Sequence, residues 1–298
     1  MAWTRGLLLE PSQAPWWAQS HLGAGFGNWS GGRGSLIVGG RAIDNRSRLG
    51  ELTVTLIDGV VSVESVSPQP LEGFSSGNSF YSDGVSYPWL IEDDRGKSML
   101  FTGWKRRNDG RFWNHLGIAA FSEKLKIWCP QPTPILPDEL EGTGSAAAAD
   151  PEGSQLAVTV FSGWEQVRGR DTPMYQVHWA SLSRGKKCRL EGPIEGLPRG
   201  TGIAVARPSF LATKRGLFAW FSVRVDHDYH VIGGEIIDGK FIGKPTLDLN
   251  PSGIGWDANS CEYAHVSISG DYLVAPYNGD GFGKTGIGLA VMPLDSLD

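Results

Sequence analysis

Four acidic residues stand beside a glycine or an aromatic residue at the edges of short apolar runs: Asp83 before Gly84, Glu165 after Trp164, Asp257 after Trp256 and Glu262 before Tyr263. Cleaving a glycosidic bond takes two carboxyl groups facing each other across the sugar. One gives a proton to the leaving oxygen; the other attacks the anomeric carbon or activates water. Asp83 suits the base or nucleophile role, and the competing reading is an Asp-Gly turn that binds its own backbone. Asp257 fits a residue that orients a sugar hydroxyl or tunes a neighbour, or a plain turn residue. Glu262 fits a proton donor, provided burial raises its pKa. Glu165 fits a general acid or a surface-loop carboxylate.

The cationic candidates are Arg41, Arg207 and Arg224. A guanidinium offers a fork of donors to a carboxylate, a phosphate or sugar hydroxyls. Arginines meeting near one centre favour an anionic sugar or a nucleotide sugar; the alternative is a structural ion pair. His21 is a candidate substrate contact, or a hydrogen-bonded inner residue. Trp104, Trp113, Trp164, Trp256 and Tyr263 supply flat faces for the C–H side of a pyranose, whereas Trp128 and Trp220 suit packing between sheets. His265, His227 and His230 lack metal-ligand spacing. No Gly-x-Ser-x-Gly elbow and no phosphate-cradling glycine loop occurs. No cofactor is expected.

The elements that must position these residues are strands. The chain has 298 residues, 41 of them Gly and 12 Trp, a mixture that suits short strands and tight turns. One order of events recurs. Tyr87–Ile91 leads to a polar turn, then Ser98–Trp104, then Leu116–Ala120. Ala206–Leu211 leads to Leu217–Ser222 and Tyr229–Gly234. Tyr263–Val266 leads to Tyr272–Tyr277 and Gly286–Ala290. Weaker copies start near His21 and Ser145, and starts recur about every 60 residues. A sheet of this kind cannot bury both faces alone, so the units must pack radially. The reading is an all-β fold: a five-bladed β-propeller with four-stranded antiparallel blades, one domain over 1–298. A β-sandwich is the competitor. In a propeller the innermost strand of each blade faces the central funnel, so chemistry belongs at blade starts. Trp3–Leu9 is expected to add an outer strand to the last blade.

Net charge is −5 with both signs scattered, and the short run Lys105-Arg106-Arg107 suits a solvated loop, so no nucleic-acid partner is expected. Leu7-Leu8-Leu9 stops at Glu10-Pro11, too short for a leader or a membrane span. Cys129, Cys188 and Cys261 are far apart and odd in number, which suits free thiols and a cytoplasmic location.

Several stretches also resemble one family. Val205-Ala206-Arg207-Pro208-Ser209 with Phe218–Arg224 and Tyr229, then Gly255-Trp256-Asp257, Tyr263 and Tyr277–Gly288, resemble the last two blades of glycoside-hydrolase-like five-bladed propellers related to arabinanases, β-xylosidases, levansucrases and invertases. Trp3, Trp17, Ser20-His21 and Arg41 with Asn45–Gly50 resemble the first blade. Ser82–Pro88 with Phe101–Trp104 resembles the second, and Ser162–Glu165 with Tyr175–His178 the third. The resemblance implies a carbohydrate ligand in the funnel and an enzyme that cleaves or transfers a glycosidic bond in an oligo- or polysaccharide. It adds Tyr229 and Asn278 to the substrate-binding candidates. The chain departs from the family at Gly144-Ser145-Ala146, where relatives carry Thr-Pro, at Leu22–Gly25 in place of a Pro-rich strand, and at Asn259, where relatives are often acidic. These departures keep two alternatives open: a catalytically degenerate propeller that binds a sugar or sugar nucleotide, and a protein-interaction platform.

Overall fold

The computed structural model describes residues 2–74, 77, 79–94, 96–109, 111–136, 142–183 and 187–297, with the side chain of residue 24 excepted. The fold is all-β. After β1 (Thr4–Leu9) come β2 (His21–Ser30), β3 (Arg33–Arg41), β4 (Ser47–Ile57) and β5 (Val60–Val66). A second unit holds β6 (Gly84–Asp93), β7 (Gly96–Arg106), β8 (Phe112–Ser122) and β9 (Ile127–Pro130). A third holds β10 (Thr143–Ala148), β11 (Gln155–Val167), β12 (Arg170–Leu182) and β13 (Cys188–Pro193). A fourth holds β14 (Ile203–Thr213), β15 (Gly216–Val225), β16 (Asp228–Ile237) and β17 (Lys240–Gly243). The chain ends with β18 (Ser267–Ser269), β19 (Tyr272–Asn278) and β20 (Ile287–Pro293). Each unit is an antiparallel meander, and the first two share one sheet through a single parallel pairing of Ser47 with Gly84.

The last sheet has the order β1-β20-β19-β18. Thr4 lies opposite Val291 and Leu7 opposite Gly288, so the N-terminal strand completes the sheet that the C-terminal strands begin. This matches the sequence expectation for Trp3–Leu9. Arg5 on β1 fastens the join by an ion pair with Asp257 at 3.0 Å. The Tyr277 hydroxyl and Ser252 Oγ also donate to Asp257, at 2.7 and 2.6 Å. Burial alone would raise this carboxyl; the hydrogen bonds from Ser252, Tyr277 and Arg5 together outweigh it and hold the pKa below the usual 3.8.

The first strand of each of the four full units bulges: between Gly23 and Phe26, Ser86 and Trp89, Thr143 and Ala146, and Ala206 and Ser209. A bulge takes a backbone N–H out of the ladder, and a buried amide must find another acceptor. At the β14 bulge the neighbouring unit supplies it: Thr159 Oγ1 accepts from Arg207 N at 3.1 Å. Side chains also bridge units at amides outside the bulges, where Thr143 Oγ1 accepts from Leu116 N at 2.9 Å and His265 Nδ1 from Gly27 N at 3.2 Å. Ser222 Oγ and Ser209 Oγ accept from Tyr263 N and Val266 N, both at 2.9 Å. His265 is fully enclosed between Phe26 and Trp89, and burial, helped by the Arg207 charge, pulls it down to about 3. It is therefore neutral and able to accept.

Glycines make room for large rings on the sheet faces. A Cβ on Gly40 or Gly50 would meet the Trp17 ring at 2.5 or 2.2 Å. Trp256 covers Gly288 in the same way, at 2.3 Å. Trp220 is buried and donates to Leu247 O, a packing role consistent with its sequence reading. Among the described residues no helix is long and apolar enough to cross a membrane.

Two outcomes follow. Arg5→Met strands the buried Asp257 charge and should lower unfolding free energy by about 3 kcal/mol in urea titrations at neutral pH. Because the folded pKa of Asp257 is depressed, its contribution is present above the ordinary value of 3.8 and is lost as pH falls through the folded value, so the gap between wild type and Arg5→Met should close in acid. Thr159→Val keeps the shape but leaves the Arg207 amide without its acceptor, and should cost about 1–3 kcal/mol; Thr159→Ser should be close to neutral by the same measurement.

Candidate functional site

The inner strands converge on one cavity of about 590 Å³. His21, Arg41, Trp104, Arg207, Arg224, Tyr229, Tyr263 and Asn278 all line it, so eight of the nine substrate-binding candidates meet there. The ninth, Trp164, lies outside the lining and is 40% exposed, with Arg111 stacked over its ring at 4.3 Å.

The bulges set this convergence. Tyr87 and Arg207 occupy equivalent bulge positions in β6 and β14, each just before a proline, and Tyr263 begins the corresponding segment of the last unit. Their φ angles are 53°, 51° and 60°, in the left-handed region that non-glycine residues rarely adopt. All three side chains reach the cavity. The Arg207 guanidinium lies over the Tyr87 ring at 4.8 Å, Tyr87 meets Tyr263 edge-on at 5.1 Å, and Tyr263 meets Tyr229 at 5.3 Å. Arg224 packs over Tyr229 at 5.8 Å, and one of its Nη atoms donates to Pro173 O at 2.6 Å.

The wall is basic and aromatic. Arg41, Arg170, Arg207 and Arg224 face the cavity with Tyr87, Tyr175, Tyr229, Tyr263 and Trp104. Burial, opposed by Tyr87 and Tyr263, lowers Arg207 to about 10, which leaves it charged at neutral pH. Burial lifts Tyr87 to about 12. Burial, then the charges of Arg41 and Lys284, push His21 down to about 4, so the imidazole is neutral, with Nδ1 2.6 Å from Ser20 Oγ.

The carboxylates are placed differently. Among the described lining residues Asp171 is the one acid, and it pairs with Arg111 at 3.5 Å. Asp83 sits in the turn before β6, where its Oδ2 accepts from the Arg106 amide at 2.7 Å. Glu165 accepts from the Gly202 amide at 2.7 Å, bridging the third and fourth units. Asp257 belongs to the join with Arg5. Glu262 lies just behind the wall, 2% exposed, accepting from Asn278 Nδ2 at 2.7 Å and from the Phe282 amide at 3.2 Å. Asn278 and Phe282 are themselves lining residues. Burial outweighs those two bonds and raises the Glu262 carboxyl to about 8, so it carries a proton at neutral pH. None of the four acidic candidates lines the cavity.

Sequence reasoning did not single out Tyr87, Tyr175, Asn114, Ser145, Thr159, Arg170 or Asp171 as wall residues. Tyr87 was detectable, because it precedes its proline as Arg207 does. Among the described residues no group of three His, Cys, Asp or Glu side chains is placed to hold a metal ion.

No protein-family model matches the chain. It is 24% identical over 303 residues to the uncharacterized protein Rv1502 of Mycobacterium tuberculosis, covering 98% of this chain and 99% of that protein. Among solved structures it superposes on β-1,2-mannobiose phosphorylase from Listeria innocua with a TM-score of 0.69 and 11% identity, covering 100% of this chain and 98% of that one. For α-L-arabinofuranosidase from Lactobacillus brevis the TM-score is 0.61 with 10% identity, covering 96% and 94%. For BT0996, in its complex with RGII, it is 0.67 with 10% identity, covering 96% and 89%. The chain therefore has the fold of glycoside hydrolases and related sugar-processing enzymes.

Proposed function

We propose that the chain is a single five-bladed β-propeller, related to glycoside hydrolases, that holds a carbohydrate in its central funnel. One observation carries the reading: residues as far apart in sequence as His21, Trp104, Tyr175, Arg207 and Tyr263 line one cavity. Its volume of about 590 Å³ suits a saccharide of a few units. Flat rings offer a face to the apolar side of a sugar, and the arginine and asparagine donors suit its hydroxyls. Trp104 is the reporter of choice, because it lines the cavity while its Nε1 donates to Ser86 Oγ at 2.5 Å. Titrating neutral and acidic oligosaccharides while following tryptophan fluorescence should give a saturable change. Trp104→Ala should weaken binding about tenfold. An absence of any saturable response across both classes would remove the carbohydrate reading.

A second reading, cleavage or transfer of a glycosidic bond, is favoured by Glu262. A carboxyl that keeps its proton to about pH 8 is ready to protonate a leaving oxygen. In this reading Glu262 is the general acid, reached once Asn278 or Phe282 shifts. Asp83 is the base or nucleophile, freed from the Arg106 amide, and Asp257 and Glu165 keep supporting roles. The binding reading ranks first because Asp171 is the single carboxylate among the described wall residues. A screen of nitrophenyl glycosides separates the two. Turnover that declines as pH rises through about 8, and that disappears in both Glu262→Gln and Asp83→Asn, would establish cleavage. Turnover retained by Glu262→Gln would eliminate that residue as the acid.

A further inference from the structure

The funnel concentrates positive charge in a protein whose net charge is −5. Arg207 and Arg224 are 4% and 5% exposed, and both line the cavity with the half-buried Arg41. For the buried Arg224 guanidinium a carboxylate or another anion is expected to stand opposite, since desolvating a cation without a counter-charge is costly. The wall offers one carboxylate among the described residues, Asp171, and that group is engaged with Arg111. The Nε atoms of Arg41 and Arg224 are buried, and no described group accepts a hydrogen bond from either. The Tyr87 and Tyr229 rings support the planes of the Arg207 and Arg224 guanidinium groups, which holds their donors in fixed directions.

We propose that Arg41, Arg207 and Arg224 form an anion site in the funnel, taking a phosphate or carboxylate that is either carried on the saccharide or bound beside it as free phosphate. The proposal deepens the carbohydrate reading and rests on it. It names the substrate class as acidic, which hydroxyl-binding donors alone do not require. Neutral His21 beside Arg41 serves as an internal sensor. The groups that bear on its imidazole are Ser20, Arg41 and Lys284. An anion seated against Arg41 offsets the cationic field and lets His21 take up a proton at higher pH than it otherwise does.

The test is isothermal titration calorimetry of the full chain at fixed ionic strength with inorganic phosphate, glucose 6-phosphate, glucuronic acid and glucose. At least one anionic probe should bind about tenfold more tightly than glucose. Arg224→Gln and Arg41→Gln should each abolish that preference while retaining a cooperative thermal melt. Binding of glucose 6-phosphate or glucuronic acid without binding of phosphate assigns the anion to the sugar; binding of phosphate alone assigns it to a separate ion. Nuclear magnetic resonance of the imidazoles, with His21→Gln identifying the signal, should show the His21 titration moving upward on saturation with the bound anion. This second readout uses unaltered protein and so stands even if an arginine variant fails to fold. Equal affinity for glucose and every anionic probe overturns the anion site and leaves the carbohydrate reading standing. An unmoved His21 titration at saturation also overturns it, as does an absence of binding by all three anions. Tight phosphate binding with no binding by glucose, glucuronic acid or any neutral or acidic oligosaccharide retains the anion site and removes the carbohydrate reading.

Discussion

The inner strands cannot run straight. Each carries a bulge or break where it passes the cavity, and the amide that leaves the ladder is buried, so an acceptor must come from elsewhere. Thr159 provides it for Arg207 at the β14 bulge, and Ser222 for Tyr263 in the last unit, each from an adjacent unit. The seams between sheets are thus polar at defined points within an otherwise apolar interface. A small hydroxyl is well suited there: it brings an acceptor close to the neighbouring backbone without displacing the packed rings. Removing one leaves an unsatisfied amide, and the bulge it supports then loses its reason to stay in place. The side chain at the bulge would move with it, and that side chain is a wall residue. Stability of the seam and geometry of the cavity are therefore one constraint.

The charge arrangement follows from the same architecture. Several carboxylates outside the cavity lining are occupied as anchors for backbone amides: Asp83 for Arg106, Glu165 for Gly202, and Asp280 for Asn259 and Ser260. Asp257 joins the two ends of the chain. Each of these acids holds strands or turns together, and none of them lines the cavity. What remains facing inward is mostly guanidinium, phenol, hydroxyl and amide, with Asp171 the single carboxylate among the described lining residues. An acidic protein thereby acquires a basic interior, and the sign of the interior differs from what net charge alone would suggest.

Much of this was legible in the sequence. The strand–turn–strand copies at Tyr87, Ala206 and Tyr263 correspond to inner strands or their equivalents, and the run Ala146–Ala149, the best local helix former but bracketed by Gly142, Gly144, Pro151 and Gly153, gives Ala146–Ala148 to β10. Eight substrate-binding candidates reach the wall, three of them (His21, Arg207 and Tyr263) from the first strand or segment of a unit and five (Arg41, Trp104, Arg224, Tyr229 and Asn278) from the ends of later strands that return to the same cavity. The carboxylates were harder to place, since position along a strand says nothing about direction. Successive strand residues point to opposite faces, and a bulge reverses the alternation at the point that matters. Asp83 lies just before β6, and Glu165 lies beyond the Phe161/Gly163 irregularity in β11, so no two-residue period carries their orientation from the strand. Trp164 is turned outward by the same irregularity.

The strained positions give the last link between fold and site. A non-glycine residue at positive φ costs of order 1 kcal/mol or more, and for Tyr87 and Arg207 the following proline adds a further restriction. Glycine would adopt those angles without steric cost. The bulge itself therefore does not call for a tyrosine or an arginine. What those side chains supply lies in the cavity: Arg207 against Tyr87, Tyr87 against Tyr263, Tyr263 against Tyr229, and Tyr229 beneath Arg224. The chain of contacts runs from one guanidinium to the other through rings held in unfavourable backbone conformations. Such strain persists only where surrounding structure over-determines it, and here the amides of Arg207 and Tyr263 are pinned across seams by Thr159 and Ser222. The seams thus maintain the strain, and the strain presents the donors.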